Sequence, residues 1–310
     1  MNKRPPFLKA GDKIGIVAPA RKFTPDELAF ALRQFTSWGL VPVTGVHLFG
    51  ADHQYSGTDA ERAADLQTML DDPEIKAIIS ARGGYGTMRI IDALDFTKFK
   101  QNPKWICGYS DITVLHSHIN RQCGIETLHC TMPVSFEKDV VSLETLRKAL
   151  FDEQRIFDKA LFGEHRIFDI YAKNPLNRAG FAQGELVGGN LSLLYAMQGS
   201  ASDIDTKGKI LFLEDLDEYL YHLDRMMLSL KRAGKLAHLN GLVIGGMTEM
   251  KDNTVPFGRN AEQIIFDAVR EYAYPVCFDA PAGHGKDNHA LYLGRQAKLS
   301  VGDAVRLEFV

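Results

Sequence analysis

The chain has 310 residues, of which 45% are hydrophobic and 24% charged, with a formal net charge of −3. That is enough for one large or two medium domains with real cores, and the near-neutral balance sets up no field for nucleic acid or an acidic membrane surface. No apolar run reaches the length of a membrane span, and the basic N-terminal residues lack the apolar stretch of a signal peptide, so no membrane partner is expected. Lys13 to Ala18 is a buried strand ended by Pro19. Thr24-Pro25-Asp26-Glu27 opens a helix, with Pro25 at its first position and Glu27 completing a capping box. Gly39 stops it, and Leu40 to Val43 begins a second strand. Asp59 to Leu70 has Ala60, Ala63, Ala64, Leu66 and Leu70 at helical spacing. Ile75 to Ser80 is a third strand, running into Ala81-Arg82-Gly83-Gly84-Tyr85-Gly86 and then a helix from Thr87.

Glycines between strand and helix let a backbone approach a ligand closely. The spacing matches neither a dinucleotide fingerprint nor a P-loop. A donor loop for an oxyanion or a carboxylate is one reading, and a plain tight turn is the other. Trp105 to Cys107 is the next strand, Gly108-Tyr109-Ser110 a sharp turn, and Asp111 onward a helix. Taken by itself, Ser110 reads first as a helix cap. Its place at a strand's carboxyl end, beside the glycine loop, also suits a nucleophile with helix amides behind it. A strand near Glu126 to His129 and a helix from Ser142 to Phe151 follow. Strands alternate with helices, which predicts a parallel sheet covered on both faces over residues 1–155.

From Asp152 to Arg178 the periodicity decays, and 156–178 is read as a linker. The remainder, 179–310, is read as a smaller α+β, β-rich domain. Its strands are Gly184 to Asn190, Lys209 to Leu213, Gly241 to Met247, Val276 to Asp279 and three more near the C-terminus. Helices are expected near Leu194, from Tyr219 to Ala233 and from Ala261 to Tyr272. Cys107, Cys123, Cys130 and Cys277 form no C-x-x-C pair and read as reduced thiols of a cytoplasmic protein. A zinc site from His116, His118, Cys123, His129 and Cys130 has no standard spacing, so neither metal nor cofactor is expected.

A serine hydroxyl needs a base, and the base needs an orienting partner. Among ten histidines, His284 lies between Gly283 and Gly285 in a loop after a strand, where an imidazole can be presented. Glu214 ends the strand Lys209 to Leu213, where backbone would fix a partly desolvated carboxylate. Asp215 and Glu218 are its rivals, and the whole acidic cluster could instead serve the following helix.

These residues resemble the LD-carboxypeptidases, a serine-peptidase family that includes the microcin C immunity proteins. The matching segments run in order along nearly the whole chain: Gly11 to Pro19, Ile75 to Gly86, Gly108-Tyr109-Ser110-Asp111, Gly188-Gly189-Asn190-Leu191, Leu213-Glu214-Asp215 with Asp224-Arg225-Met226-Met227, and Gly283-His284. Two segments depart from the pattern, Pro19-Ala20-Arg21 and His129 to Pro133. The resemblance implies an N-terminal flavodoxin-like domain, a distinct C-terminal domain and a site between them, commonly in a homodimer. It implies Ser110 as nucleophile, His284 as base and Glu214 as orienter. The implied reaction removes C-terminal D-alanine from murein tetrapeptides in cell-wall recycling. Backbone at Asp111 and in the Gly84 loop, with Tyr85 beside it, would hold the oxyanion; Arg82, Asn190 and Arg225 are candidates for the substrate's carboxylates. Two other readings stand: an immunity-type peptidase acting on a peptidyl or aminoacyl nucleotide, and a non-catalytic small-ligand binder. The binder reading requires Glu214 and His284 to lie far from Ser110.

Overall fold

Thr58 starts a helix with both halves of a capping box: its hydroxyl accepts from the Glu61 N–H at 3.2 Å, and Glu61 accepts from the Thr58 N–H at 2.8 Å. Glu27 closes back on the Thr24 N–H in the same way, at 2.8 Å. The computed structural model describes residues 2–151, 166–170 and 174–310. These two caps begin α1 (Pro25–Ser37) and α2 (Asp59–Asp71), the first crossovers of a βαβ fold. The strands they connect are β1 (Lys13–Val17), β2 (Val41–Thr44) and β3 (Ile75–Ser80), followed by β4 (Trp105–Gly108) and β5 (Thr127–His129). All five are parallel, in the order β2-β1-β3-β4-β5, the flavodoxin-like arrangement. Short helices α3 (Thr87–Ile90) and α4 (Thr97–Gln101), then α5 (Thr113–Cys123) and α6 (Val140–Phe151), complete this half.

Alternate strand residues go to opposite faces, as the two-residue period requires. Ile14, Ile16, Ala77, Ile79, Trp105 and Cys107 pack with Leu28 and Phe35 of α1 and Leu146 of α6. Val17, Ile78 and Ile106 pack with Leu66 and Met69 of α2 and Ile119 of α5. Both faces are therefore covered, as the apolar strands predict.

The second sheet contains β6 (Arg166–Ile170), β7 (Gly180–Asn190), β8 (Ile210–Leu216), β9 (Gly241–Thr248), β10 (Val276–Cys277), β12 (Gln296–Val301) and β13 (Val305–Phe309). Its order is β10-β9-β8-β7-β12-β13-β6. β7 to β10 are parallel, and β12, β13 and β6 are antiparallel. Helices α7 (Leu191–Ala196), α8 (Leu220–Arg232) and α9 (Ala261–Val269) follow its parallel strands. The stretch 156–178, read as a linker, contains β6, paired along its length with β13; residues 156–165 and 171–173 of it lie outside the described residues.

The two halves are stitched at the C-terminal end. β11 (Leu291–Leu293) leaves the second half and adds antiparallel to β5, at the edge of the first sheet. Two residues on, Arg295 is 1% exposed and donates twice to Glu126 Oε2, at 2.6 and 2.8 Å. Its guanidinium stacks 3.4 Å from the Tyr292 ring. Charge this deeply buried persists only with a hydrogen-bonded counter-charge, so the pair pins the returning chain to the first sheet.

Candidate active site

β4 ends at Gly108, whose φ of +146° brings the Ile112 side chain where a Cβ would stand. Ile112, which breaks the G-x-S-x-G pattern, thus packs on the turn itself. Ser110 has φ +61°, a left-handed conformation that costs an L-residue about 1–2 kcal/mol. It opens a 3₁₀ turn, Ser110–Ile112, and α5 starts only at Thr113; the Ser110 hydroxyl caps neither. The strain holds the serine out of the helix at the carboxyl edge of the sheet. From beneath, the Gly108 carbonyl accepts from His116 Nε2 at 2.8 Å and from the Cys130 N–H at 3.1 Å. A carbonyl only accepts, so His116 carries its proton on Nε2. Complete burial pushes its pKa down to about 3 and keeps it neutral.

The glycine loop after β3 lies directly against this turn. A Cβ on Gly83 would meet Ser110 Cβ at 3.2 Å and Oγ at 3.4 Å. Asp111, fully buried, accepts at one carboxylate oxygen from the Thr87 N–H at 2.8 Å and the Thr87 hydroxyl at 2.6 Å. The residue after Ser110 therefore clamps the far end of the glycine loop. Burial raises the Asp111 pKa, against the pull of the Thr87 and Gly86 hydrogen bonds. Among the described residues, the Gly84 and Asp111 N–H groups have no acceptor. Tyr85 is exposed at the rim, its ring 6.2 Å from that of Tyr55.

Glu214 lies in β8 and is completely buried. Its Oε2 accepts from the His284 N–H at 3.1 Å and from His284 Nδ1 at 2.6 Å. A Cβ on Gly283 would come 2.5 Å from Glu214 Cβ, so only glycine lets the loop approach so closely. Burial works against the charged imidazole, but the Glu214 hydrogen bond and charge, with Asp215 and Glu249 farther off, hold its pKa above the ordinary value. The other face of His284 meets the Tyr109 ring, centroids 4.8 Å apart. Nδ1 is held by Glu214, and among the described residues Nε2 has no hydrogen-bond partner, on a ring packed against Ser110's neighbour. A non-catalytic binder would leave Glu214 and His284 far from Ser110, whereas here the imidazole packs on Tyr109, the residue before that serine.

The carboxylate candidates are not brought together. Arg82 pairs loosely with Glu27 at 3.4 Å, at the outer end of the glycine loop. Arg225 is exposed on α8, its guanidinium 5.3 Å from the Tyr221 ring centroid. Asn190 is engaged at both ends of its amide: Oδ1 accepts from the Leu193 N–H at 3.3 Å, capping α7, and Nδ2 donates to Asp215 at 2.9 Å. Asp215 in turn accepts from the Ser192 N–H and hydroxyl, and burial beside Glu214 pushes its pKa up to about 6. A cavity of about 620 Å³ opens on the far side of the His284 loop, with Thr248, Phe278, Asp279, Gly285 and Lys286 in its wall. His116, His129 and Asn288 are all buried around the turn and the loop; the sequence offered the two histidines only in a zinc reading and Asn288 not at all, because nothing local distinguishes a bracing polar residue from a core one.

Comparison with known proteins agrees with this geometry. The LD-carboxypeptidase N-terminal domain matches residues 14–130, and the LD-carboxypeptidase C-terminal domain matches residues 183–299. The chain is 36% identical over 98% of its length to a probable murein peptide carboxypeptidase of Bacillus subtilis, covering 93% of that protein. It is 28% identical to a murein tetrapeptide carboxypeptidase of Pseudomonas aeruginosa, over 93% of this chain and 92% of that one. A crystal structure of a muramoyltetrapeptide carboxypeptidase from Oxalobacter formigenes superposes with a TM-score of 0.81 at 26% identity, covering 96% of this chain and 98% of that one. A microcin C7 self-immunity protein shares the fold, with a TM-score of 0.85 at 20% identity over 100% and 98% of the two chains. The buried acid–histidine pair, the strained serine turn beside it and these full-length matches place the chain in the LD-carboxypeptidase family, as a hydrolase of that type.

Proposed function

We propose that the protein is a serine carboxypeptidase that releases C-terminal D-alanine from murein tetrapeptides, acting in the cytoplasm as a homodimer. The observation that carries the mechanism is the doubly bonded Glu214–His284 pair packed on Tyr109, next to the strained Ser110. The names of the relatives support the substrate.

In this reading Ser110 Oγ attacks the carbonyl of the L,D amide while His284 Nε2 takes the hydroxyl proton. The new oxyanion accepts hydrogen bonds from the Gly84 and Asp111 N–H groups, each typically worth about 3 kcal/mol in the transition state. His284 then passes its proton to the leaving nitrogen, the C–N bond breaks and D-alanine departs. Water, deprotonated by the same imidazole, attacks the acyl-serine; the bond from Ser110 Oγ to the acyl carbon breaks, Oγ takes the proton from His284, and the tripeptide leaves. Glu214 keeps the Nδ1–H tautomer and stabilises the imidazolium between these steps. Arg82 is the one positive candidate on the glycine loop for the peptide's carboxylates.

Mass spectrometry of murein tri-, tetra- and pentapeptides after incubation with purified protein tests the substrate. The reading requires conversion of tetra- to tripeptide with one D-alanine released. Cleavage at another bond, or none, would replace it.

A further inference from the structure

The Glu214 contact orients the imidazole but does not tie the His284 loop to the sheet that carries Ser110. Another pair of buried residues does. Asn288 Oδ1 accepts from the Gly283 N–H at 2.8 Å and from His129 Nε2 at 3.0 Å. A backbone N–H can only donate, so it fixes which end of the Asn288 amide faces it. His129 must then donate from Nε2, which makes it the neutral Nε2–H tautomer. The Asn288 N–H donates to Ser142 Oγ at 2.6 Å, anchoring the loop's other end on α6.

His129 is the last residue of β5, and its register partner on β4 is Gly108, where the serine turn begins. Its ring meets Tyr109 edge-on at 5.8 Å and Phe212 of β8 at 5.0 Å. It therefore touches the turn on one side and, through Asn288, the residue before His284 on the other. We propose that His129 and Asn288 are positioning residues that set the His284 imidazole against Ser110, by hanging the Gly283–Asn288 loop from the strand beside the serine turn. This rests on the triad reading and adds to it the part that fixes the distance between base and nucleophile. Burial keeps His129 neutral, with its pKa pushed down to about 4, so the donor tautomer persists wherever His284 is unprotonated. His284 itself is faced by Glu214, Asp215 and Glu249 and by the Tyr109 ring, with the neutral His129 behind.

The test compares Asn288→Ala, His129→Leu, His129→Gln and Ser110→Ala on a tetrapeptide ending in D-alanine. Asn288→Ala is expected to lower kcat about 10- to 100-fold, the cost of an ångström-scale misplacement, with KM little changed. A slackened loop weakens the Glu214–His284 contact, so the acid limb of kcat/KM shifts to lower pH. His129→Leu should match Asn288→Ala without adding to it in the double variant, and His129→Gln, whose amide can reach the same acceptor, should recover most of the rate. Wild-type kcat in Asn288→Ala, or a fall in kcat with the acid limb unmoved, overturns the proposal. Activity in Ser110→Ala would instead overturn the triad reading beneath it, so the two failures are distinct.

Discussion

Glu214 and His284 meet twice through one oxygen: Oε2 accepts both the backbone N–H and the ring Nδ1 of the histidine. The carboxylate thus orients both the ring and the chain that carries it. Glu214→Gln leaves an amide oxygen that can still accept both bonds but removes the charge. Comparable loss of a triad carboxylate lowers kcat by about 10⁴. The sign on pH follows. His284 acts as a base when neutral, and Glu214 holds its pKa above the ordinary value, so the acid limb of kcat/KM lies above that value in the wild type. In Glu214→Gln the residual activity should keep its plateau to lower pH. A limb that stays in place would show that Glu214 does not set the titration.

Gly83 leaves no room beside Ser110. A methyl there would press on Ser110 Cβ at 3.2 Å and on Met132 Cε at 3.1 Å. The methionine can yield, but the serine sits on a strained turn. Gly83→Ala is expected to fold, with an unfolding midpoint near the wild type, and to lose at least about tenfold in kcat through displaced reacting atoms. Unchanged kcat would mean that the loop and the serine do not act as one unit.

Arg295 and Glu126 bind the returning C-terminal chain to the first sheet. Arg295→Met leaves Glu126 buried with only Arg4, 3.5 Å away and partly exposed, to offset it. Breaking such a pair typically costs about 3–5 kcal/mol. Removing both charges, as Arg295→Met with Glu126→Leu, should cost less than Arg295→Met alone. Urea unfolding of the three proteins measures this, and a double variant less stable than the single one would contradict it.

Much of this was legible in the chain. The apolar strand runs and capping boxes predict the parallel sheet, and its strand order is the flavodoxin-like one that the resemblance implies. Ser110, Glu214 and His284 stood out by position, as a turn at a strand's end, a carboxylate closing a strand and a loop histidine between glycines. What stayed hidden is non-local. β6 lies in a stretch without periodicity, and among the described residues its one strand partner is β13, far along the chain. β11 returns to the first sheet although its sequence reads like its C-terminal neighbours. Asn190 looked like a binding residue, yet its amide is taken up by α7 and Asp215, partners that no spacing reveals. His129 and Asn288 are 159 positions apart and share one hydrogen bond.

The most direct measurement is the release of D-alanine from a murein tetrapeptide by wild-type protein and by Ser110→Ala, followed by mass spectrometry under single-turnover conditions. The expected result is stoichiometric conversion to the tripeptide by the wild type, through a transient species heavier than the protein by the tripeptide acyl group. In Ser110→Ala both the product and that species should disappear. Full hydrolysis by Ser110→Ala would contradict the assignment of Ser110 as the nucleophile.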